Sequence, residues 1–483
     1  VSIFDAFRSF FARPGKPRAV RRFDGAAPGR RWSAHPTFNE INSEILAGGD
    51  PLRRRAAYFA RNNPWAANGV GSLVGNLIGS GIRPTPQHPR EATRTALARL
   101  WEQWTAVADA DGVLDHYGQQ VLAVRHMVEA GECFLRFELG APTRPGVPPF
   151  RVRLLDAAMI DLALTRDLGD GRRIVGGVEL DARGRRAAYH VLPHRPGELF
   201  TVNFPPVRVP AADMAHLFVP LVPGQVRGVS WLAPVLLRLH ELDQTEDAQI
   251  VRQKVGALFA GFLYDQEGGT GSSFEGERDG SILETGLEPG TLKTLPPGLD
   301  IKFSEAPEIG TEAIEFMKLQ LRSIAAGLGV PEHLLTGDIG EANYSSLRAA
   351  LIEFRRRIDQ LQHTVIVHQL LQPTWDRFVV AAVLSGTLDA PDFERNVNDY
   401  LAVEWIAPGF EHVDPKKDAE AEVLEIMHGL KSRRQAVAER GYSIEEVDAE
   451  LAADAARAAR LGIALGDRPT APQPEPERED ADA

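Results

Sequence analysis

Apolar residues recur at steps of three and four through two neighbouring stretches of the chain. In the first, Ile314, Met317, Leu321, Ile324 and Leu328 line one face, while Glu315, Lys318 and Arg322 form a charged stripe on another. In the second, Leu347, Leu351, Phe354, Ile358 and Leu361 repeat the pattern, with Arg355, Arg356 and Arg357 around it. This periodicity predicts helices over 311–328 and from Ser346 to about Gln372, where Pro373 interrupts before helical texture resumes over 375–384. A loop at 329–345, rich in Gly, Pro and Asn, joins the two. A third pattern runs through Leu232, Val235, Leu236, Leu239, Leu242, Val251, Val255, Leu258 and Phe262. It predicts a helix from Ser230, its cap, to Phe262, about 50 Å long at 1.5 Å per residue, with Pro234 tolerated in the first turn.

Elsewhere the texture is more varied. Residues 1–50 look irregular, apart from a short amphipathic run of Ile3, Phe4, Phe7, Phe10 and Phe11 followed by a basic arm. That arm reads as a terminus docking on a neighbour, or as a contact to nucleic acid or scaffold. Helical segments follow at 51–79 and 90–129, broken at Asn63-Pro64 because a residue before Pro avoids the helical region. From 131 to about 220 short β-prone runs alternate with Gly, Pro and Asp, and DARGR at 181–185 reads as a hairpin turn. Residues 264–308 hold an exposed Gly-rich run and short strands around Pro-Gly turns. After 412 a small helical module carries two capping-box patterns, at Ser432 and Ser443, with Gly441 between them. The Pro-rich acidic tail, 465–483, predicts disorder. The whole is an α+β chain whose sheet is mainly antiparallel, in more than one sub-domain given its 483 residues.

Composition narrows the function. Hydrophobic residues at 43% and charged residues at 25% are ordinary for a soluble globular protein. A formal net charge of −12 argues against a nucleic-acid coat, yet suits a channel whose acidic wall repels phosphates. The one cysteine, Cys133, excludes an intramolecular disulfide framework, and its neighbours Phe134, Leu135 and Phe137 place it in a buried strand. No stretch reaches the ~18 apolar residues that a membrane span needs.

Catalytic signatures are missing. GGTGSSFEG lacks the Lys and the strand–helix setting of a phosphate-binding loop. Ser230 lacks the trailing Gly of a nucleophile turn and opens a helix instead. His363 and His368 miss the i, i+4 spacing of a helical zinc site. No cofactor or metal is expected. What remains is charge: Lys318 and Arg322, one turn apart, ask for an anionic neighbour. Glu241, Asp243, Glu246 and Asp247 form an acidic belt on the other long helix, a solvated face on a monomer and a phosphate-repelling wall in a shared channel.

The text IAAGLGVPEHLLTGD followed by NYSSLRAAL resembles the lambda family of tailed-phage portal proteins. So do RGVSWLAPVLLRLHELDQTEDAQIVRQKVGALFAGFL, LEPGTLKTLPPGLDIKF and VDPKKDAEAEVLEIMHGLKSRRQAVAERGYSIEEV, in family order. The resemblance implies a dodecameric ring at one capsid vertex, conducting double-stranded DNA during packaging and ejection. It implies docking of the terminase large subunit and the head–tail connector, with the major capsid protein and scaffold as further neighbours. It implies a portal fold: an N-terminal arm (1–50), a wing (51–227 and 346–411), stem helices (228–262 and 311–328), a clip (263–310), a channel loop (329–345) and a crown (412–464). The channel loop would present Gly337, Asp338, Glu341, Asn343, Tyr344 and Ser345, and the clip Glu275, Glu277, Arg278 and Lys293. The rival class, a capsid-associated maturation protease or nuclease, needs a polar catalytic cluster that these residues do not supply.

Overall fold

The computed structural model describes residues 40–141, 144–197, 204–257, 310–340, 344–410 and 415–463, with short strands at 261–265, 277–279, 282–284 and 299–303. The N-terminal arm up to residue 39 and the tail from 464 lie outside the described residues.

Helix α1 (Ile41–Asn62) starts ten residues earlier than the Gly48-Gly49-Asp50-Pro51 run suggests. Tertiary anchoring overrides those breakers: Glu40 caps the Ser43 amide at 3.1 Å, and Asn42 both donates to the Gly224 carbonyl and accepts from the Val226 amide at 2.7 Å. The expected break falls at Asn63, whose side chain caps α2 (Pro64–Ile78) through the Ala66 amide. Strand β1 (Arg83–Pro86), α3 (Glu91–Thr105) and α4 (His116–Ala130) follow.

Two antiparallel sheets complete the first part of the wing. One has the order β3 (Phe150–Leu155), β2 (Glu132–Leu139), β9 (Met214–Phe218); the other is a meander of β4 (Arg166–Gly169), β5 (Arg172–Val175), β6 (Val178–Leu180), β7 (Arg186–Val191) and β8 (Val207–Pro210). The DARGR turn joins β6 to β7 as expected, with Asp181 accepting from the Arg183 and Arg185 amides and Gly184 at φ +77°. Cys133 lies buried in β2, and burial pushes its thiol up to about 12, which leaves it inert.

Helix α5 (Leu236–Ala257) is shorter than its apolar pattern predicts, about 33 Å. Residues 231–235 make tight turns instead, with the Leu232 amide donating to Ser230 Oγ at 3.2 Å, because Pro234 lacks the amide a regular first turn would use. At the other end Phe262 belongs to β10 (Gly261–Asp265), which pairs with a later strand at Leu299–Phe303. Between them lie β11 (Glu277–Asp279) and β12 (Ile282–Glu284), also antiparallel, followed by that later strand, β13. Helix α6 (Thr311–Leu328) matches its predicted bounds.

The 329–345 connection is not all loop. It contains α7 (Glu332–Thr336), and α8 (Tyr344–Leu361) begins two residues before the expected start, so Tyr344 and Ser345 are helical. Pro373 does not interrupt the long helix. A π-helical stretch, Gln362–Leu371, precedes α9 (Gln372–Leu384), and its wider winding accommodates the proline without a break. Two glutamines of that stretch bind neighbouring backbone: Gln362 donates to the Leu77 carbonyl at 2.9 Å and Gln369 accepts from the Phe218 amide at 2.9 Å.

α10 (Val397–Leu401) and β14 (Val403–Ile406) return the chain to β1, pairing Arg83 with Ile406. Three further helices follow, α11 (Pro415–Met427), α12 (Arg433–Glu439) and α13 (Ile444–Leu461), in the region expected to form a crown. The capping box at Ser432 forms with both bonds to Gln435. The one expected at Ser443 does not: its hydroxyl donates to Glu445 instead, and Arg434 also holds that carboxylate.

The main core gathers Trp101, Trp104, Phe150, Trp375 and Phe378 between α3, β3 and α9. His116 packs edge-on to Trp101 at 5.3 Å. A second, smaller core lies under the five-stranded sheet. Where the two sheets, α4 and the segment leading to α5 meet, one buried ion pair joins them. Arg227 and Glu132 are each 1% exposed. The Arg227 Nη2 and Nε donate to Glu132 at 2.6 and 2.9 Å; its other bonds reach the carbonyls of Ala157, Ile160 and Gly176. The Gly228 amide and His216 Nε2 occupy the second carboxylate oxygen at 2.8 and 3.0 Å. Burial alone would raise the Glu132 carboxyl, but the Arg227 guanidinium and the His216 hydrogen bond hold it well below the usual carboxylate range. Here the backbone crosses itself: a Cβ on Gly228 would lie 2.2 Å from the Gly131 carbonyl oxygen, and one on Gly131 2.3 Å from the Val229 carbonyl carbon.

Removing one partner of such a pair strands a buried charge. Glu132→Ala therefore destabilises the fold by about 3–5 kcal/mol, read from urea unfolding; a loss under ~1 kcal/mol would contradict the assignment.

A pH dependence arises from the buried imidazoles. Burial pushes His116, His126 and His216 each down to about 4, so all three are neutral in the fold, and His126 Nε2 accepts a bond from the Ala157 amide. The unfolded chain protonates them near ~6.5, so it binds more protons in mild acid. Stability is full above that value and falls as pH drops toward 4; Glu132 adds a further loss below the ordinary carboxylate range. The urea midpoint is expected to decline between pH 7 and 4.5, with His116→Phe flattening part of the slope. A midpoint independent of pH would contradict this.

Candidate functional site: the stem and the root of the channel loop

Helices α5 and α6 pack through Leu236, Leu239 and Leu242 on one side and Leu321, Ile324 and Leu328 on the other, all buried in the main core. Arg238 Nη1 donates to Gln320 at 3.1 Å across the pair. The buried half of α6 is its C-terminal half. Toward the N-terminus Ile314, Phe316 and Leu319 are exposed, as are Leu237, Ile250 and Val251 on α5. The apolar face inferred from Ile314 onward is thus exposed at Ile314, half-buried at Met317, which packs against the main core, and buried from Leu321.

The acidic belt divides. Asp243 accepts from Asn63 Nδ2 at 3.2 Å and Glu246 from Trp65 Nε1 at 3.0 Å, both half-buried against the α1–α2 junction. Glu241 and Asp247 are exposed. Half of the belt therefore fastens the stem to the wing, since helical spacing turns positions 243 and 246 to the face that meets α2.

The basic pair finds its anions within the same chain. Lys318 Nζ lies 3.6 Å from Glu315, and Arg322 Nε donates to both oxygens of Glu332 at 2.9 and 3.1 Å. An anion from a neighbouring subunit or a phosphate is not required to satisfy the Lys318/Arg322 repulsion, because α7 brings Glu332 back over α6.

After α6 the chain turns at Gly329 (φ +71°), and Val330 and Leu335 are buried. Asn68 and Ser72 on α2 donate to the Leu334 and Leu335 carbonyls, with Ser72 Oγ at 2.8 Å from Leu334. Gly337 ends α7 at φ +72°, and Asp338 accepts from the Gly340 amide at 2.9 Å in a small exposed turn. Glu341 and Asn343 lie outside the described residues, as do the side chains of Tyr344 and Ser345. Of the clip residues, Glu277 and Arg278 sit on β11, paired with Glu284 and Leu283; Glu275 and Lys293 lie outside the described residues. Sequence reasoning missed Glu132, Arg227, Asn68, Ser72 and Glu332. The one available signal was Arg227 beside Gly228 at the head of an apolar run.

One other polar cluster is paired largely within the chain. A groove of about 950 Å³ between α1, α4 and the 156–163 and 195–197 segments is rich in arginine. Yet Arg54 pairs with Asp50 at 2.5 Å, Arg125 with Glu129 at 2.7 Å, and Arg195 with Asp156. Among the described residues no group of three or more His, Cys, Asp or Glu is placed to hold a metal, and no helix is long and apolar enough to cross a membrane.

The described residues thus form a mixed α+β chain with antiparallel sheets, in which helices α5 and α6 flank two short strand pairs in sequence. Residues 28–362 match the family model described as phage portal protein, lambda family. The chain belongs to the lambda family of phage portal proteins. It is 25% identical over 472 residues to the probable portal protein of Halomonas phage phiHAP-1, covering 94% of this chain and 90% of that one. Portal protein B of Escherichia phage lambda is 23% identical over 462 residues, with coverage of 87% and 86%. Among solved structures, a chain of the native gene transfer agent virion superposes with a TM-score of 0.44 at 16% identity, covering 86% of this chain and 94% of its own. A chain from the neck of the native gene transfer agent particle, computed with C12 symmetry, gives 0.44 at 17% identity, with coverage of 81% and 92%. The protein is accordingly a structural component of the phage virion at the portal vertex, not an enzyme.

The division of the acidic belt is testable by stability alone. Asp243→Ala is expected to cost about 1–2 kcal/mol, whereas Glu241→Ala and Asp247→Ala stay within ~0.5 kcal/mol, measured by chemical unfolding. Equal effects at all these positions would contradict it.

Proposed function

We propose that this chain assembles as a dodecameric ring at the capsid vertex. Double-stranded DNA passes through it during packaging and ejection, and the ring docks the terminase large subunit and later the head–tail connector. The observation that carries this reading is the row of exposed apolar residues on the two stem helices. Leu237, Phe316 and Leu319 are 72%, 53% and 56% exposed, on helices whose opposite faces are packed. On α6 Ile314, Phe316 and Leu319 are exposed within a single stretch of six residues, and clustered apolar exposure favours a contact. In a closed ring each stem covers the next one, by the same patch against its complement all the way round.

The remaining roles derive from that arrangement and from family membership. Exposed Glu241 and Asp247 favour a lumen that repels phosphate, so DNA slides without adhering while the terminase ATPase supplies the force. The paired strands β10–β13 and β11–β12, emerging between the stem helices, suit a clip that presents short loops to terminase and connector. The wing, with its two sheets, is the part that would meet the major capsid protein and scaffold.

Mass photometry of the purified protein tests the ring. The wild type is expected as a large closed oligomer, and Phe316→Glu with Leu319→Glu as a folded monomer with unchanged far-ultraviolet circular dichroism. A stable wild-type monomer, or a double variant that still forms rings, would overturn the assignment of the stem as the subunit contact.

A further inference from the structure

The C-terminal end of α6 is closed by a residue that no portal function assigns. Arg357, on α8, donates from Nη1 to the Gly329 carbonyl at 3.0 Å. The fit is close: a Cβ added at Gly329 would lie 1.3 Å from that Nη1 and 2.4 Å from the guanidinium carbon. The guanidinium therefore occupies the space a side chain would take, and Gly329, at φ +71°, is the residue that leaves it free. A cation at a helix C-terminus also meets the negative end of the backbone dipole.

The segment after Gly329 is held from two other directions. Arg322 grips Glu332 through both carboxylate oxygens, and Asn68 and Ser72 hold the carbonyls at the end of α7. Gly69, one turn from Ser72, lets Leu328 and Leu335 approach α2: a Cβ there would lie 2.9 and 3.0 Å from them. Arg322 belongs to the stem and Asn68 and Ser72 to the wing. Arg357 adds a hydrogen bond to the junction from α8, the helix on the far side of the connection. The segment from Gly329 to Gly337 is thus fixed by three elements, and only beyond Gly337 do exposed residues such as Asp338 and Ile339 begin.

We propose that Arg357 is a positioning residue for the channel loop: by holding the Gly329 carbonyl it sets the direction in which the chain leaves the stem and the height at which Asp338 stands. The inference rests on the reading of 329–345 as the channel loop, and it adds that α8 places the loop's root.

Electron–electron distance measurement between spin labels at Asp338 and at Arg99, an exposed position on α3, reads that placement directly. Cys133, the one native cysteine, is buried and does not take label. Labelled protein is diluted with unlabelled protein so that distances stay within one subunit, in whichever oligomeric form the protein adopts. The wild type is expected to give one narrow distance. Arg357→Gln loses it and gives a broad, shifted distribution, and Arg357→Lys, which keeps the charge, restores part of it. Gly329→Ala, which displaces the guanidinium without removing it, has the same effect as Arg357→Gln. A control pair at Arg99 and Arg183 stays unchanged in every variant, which a general loosening of the fold would not allow. An unchanged 338–99 distance in Arg357→Gln overturns the proposal. A displaced Asp338 accompanied by wild-type DNA packaging and retention leaves Arg357 as the positioning residue and overturns the channel-loop reading beneath it.

Discussion

One buried charge pair sets where the chain leaves the two sheets on its way to α5. Arg227 immediately precedes the turns that lead into α5, and its guanidinium is spent entirely inside the protein, on Glu132 and on three backbone carbonyls from separate segments. Taking a carboxylate and a guanidinium out of water is costly, and the interaction is favourable only when every lone pair and proton is matched. Here they are matched, by the Gly228 amide and by a neutral His216. The geometry that allows this is the close crossing of Gly131 and Gly228, which no side chain could enter. A buried apolar contact could supply comparable energy, but a bidentate pair with directed carbonyl bonds also fixes the angle at which the chain departs. In the proposed ring, that angle would matter more than the energy.

From this joint the rest of the stem is set by packing. α5 is fastened to the α1–α2 junction by Asp243 and Glu246, α6 lies on α5, and α7 returns over α6 to be held by α2. Each contact buries one face and leaves the opposite one unpaired, so the protomer finishes with apolar residues in solvent along both stem helices. The fold is complete as a chain and leaves apolar surface in solvent, which is what the proposed ring would cover.

The amphipathic helices, the hairpin at Asp181–Arg185, the buried Cys133 strand and the Asn63-Pro64 break were legible because each is a local signal: period, turn chemistry or capping. The stem's core residues Leu321, Ile324 and Leu328 were legible for the same reason. The features that could not be read were set by distant partners. Helix α1 runs through Gly48, Gly49 and Pro51 because Asn42 is tied to residues 224–226. Lys318 and Arg322 look like a pair awaiting an external anion until α7 brings Glu332 back over α6. Asp243 and Glu246 look identical to Glu241 and Asp247 in the sequence, and only the position of Asn63 and Trp65 separates fasteners from surface. Pro373 reads as the end of a helix, yet the π-helical turn before it carries the chain through.

The proposed ring requires the exposed apolar residues of α5 and α6 to be covered by the next copy of the chain. A cryo-electron-microscopy reconstruction of the purified protein measures this most directly. The proposed ring predicts that Leu237, Ile250, Phe316 and Leu319 of each subunit are buried against neighbouring subunits. A ring closed through other surfaces, with those four apolar residues still in solvent, would contradict it.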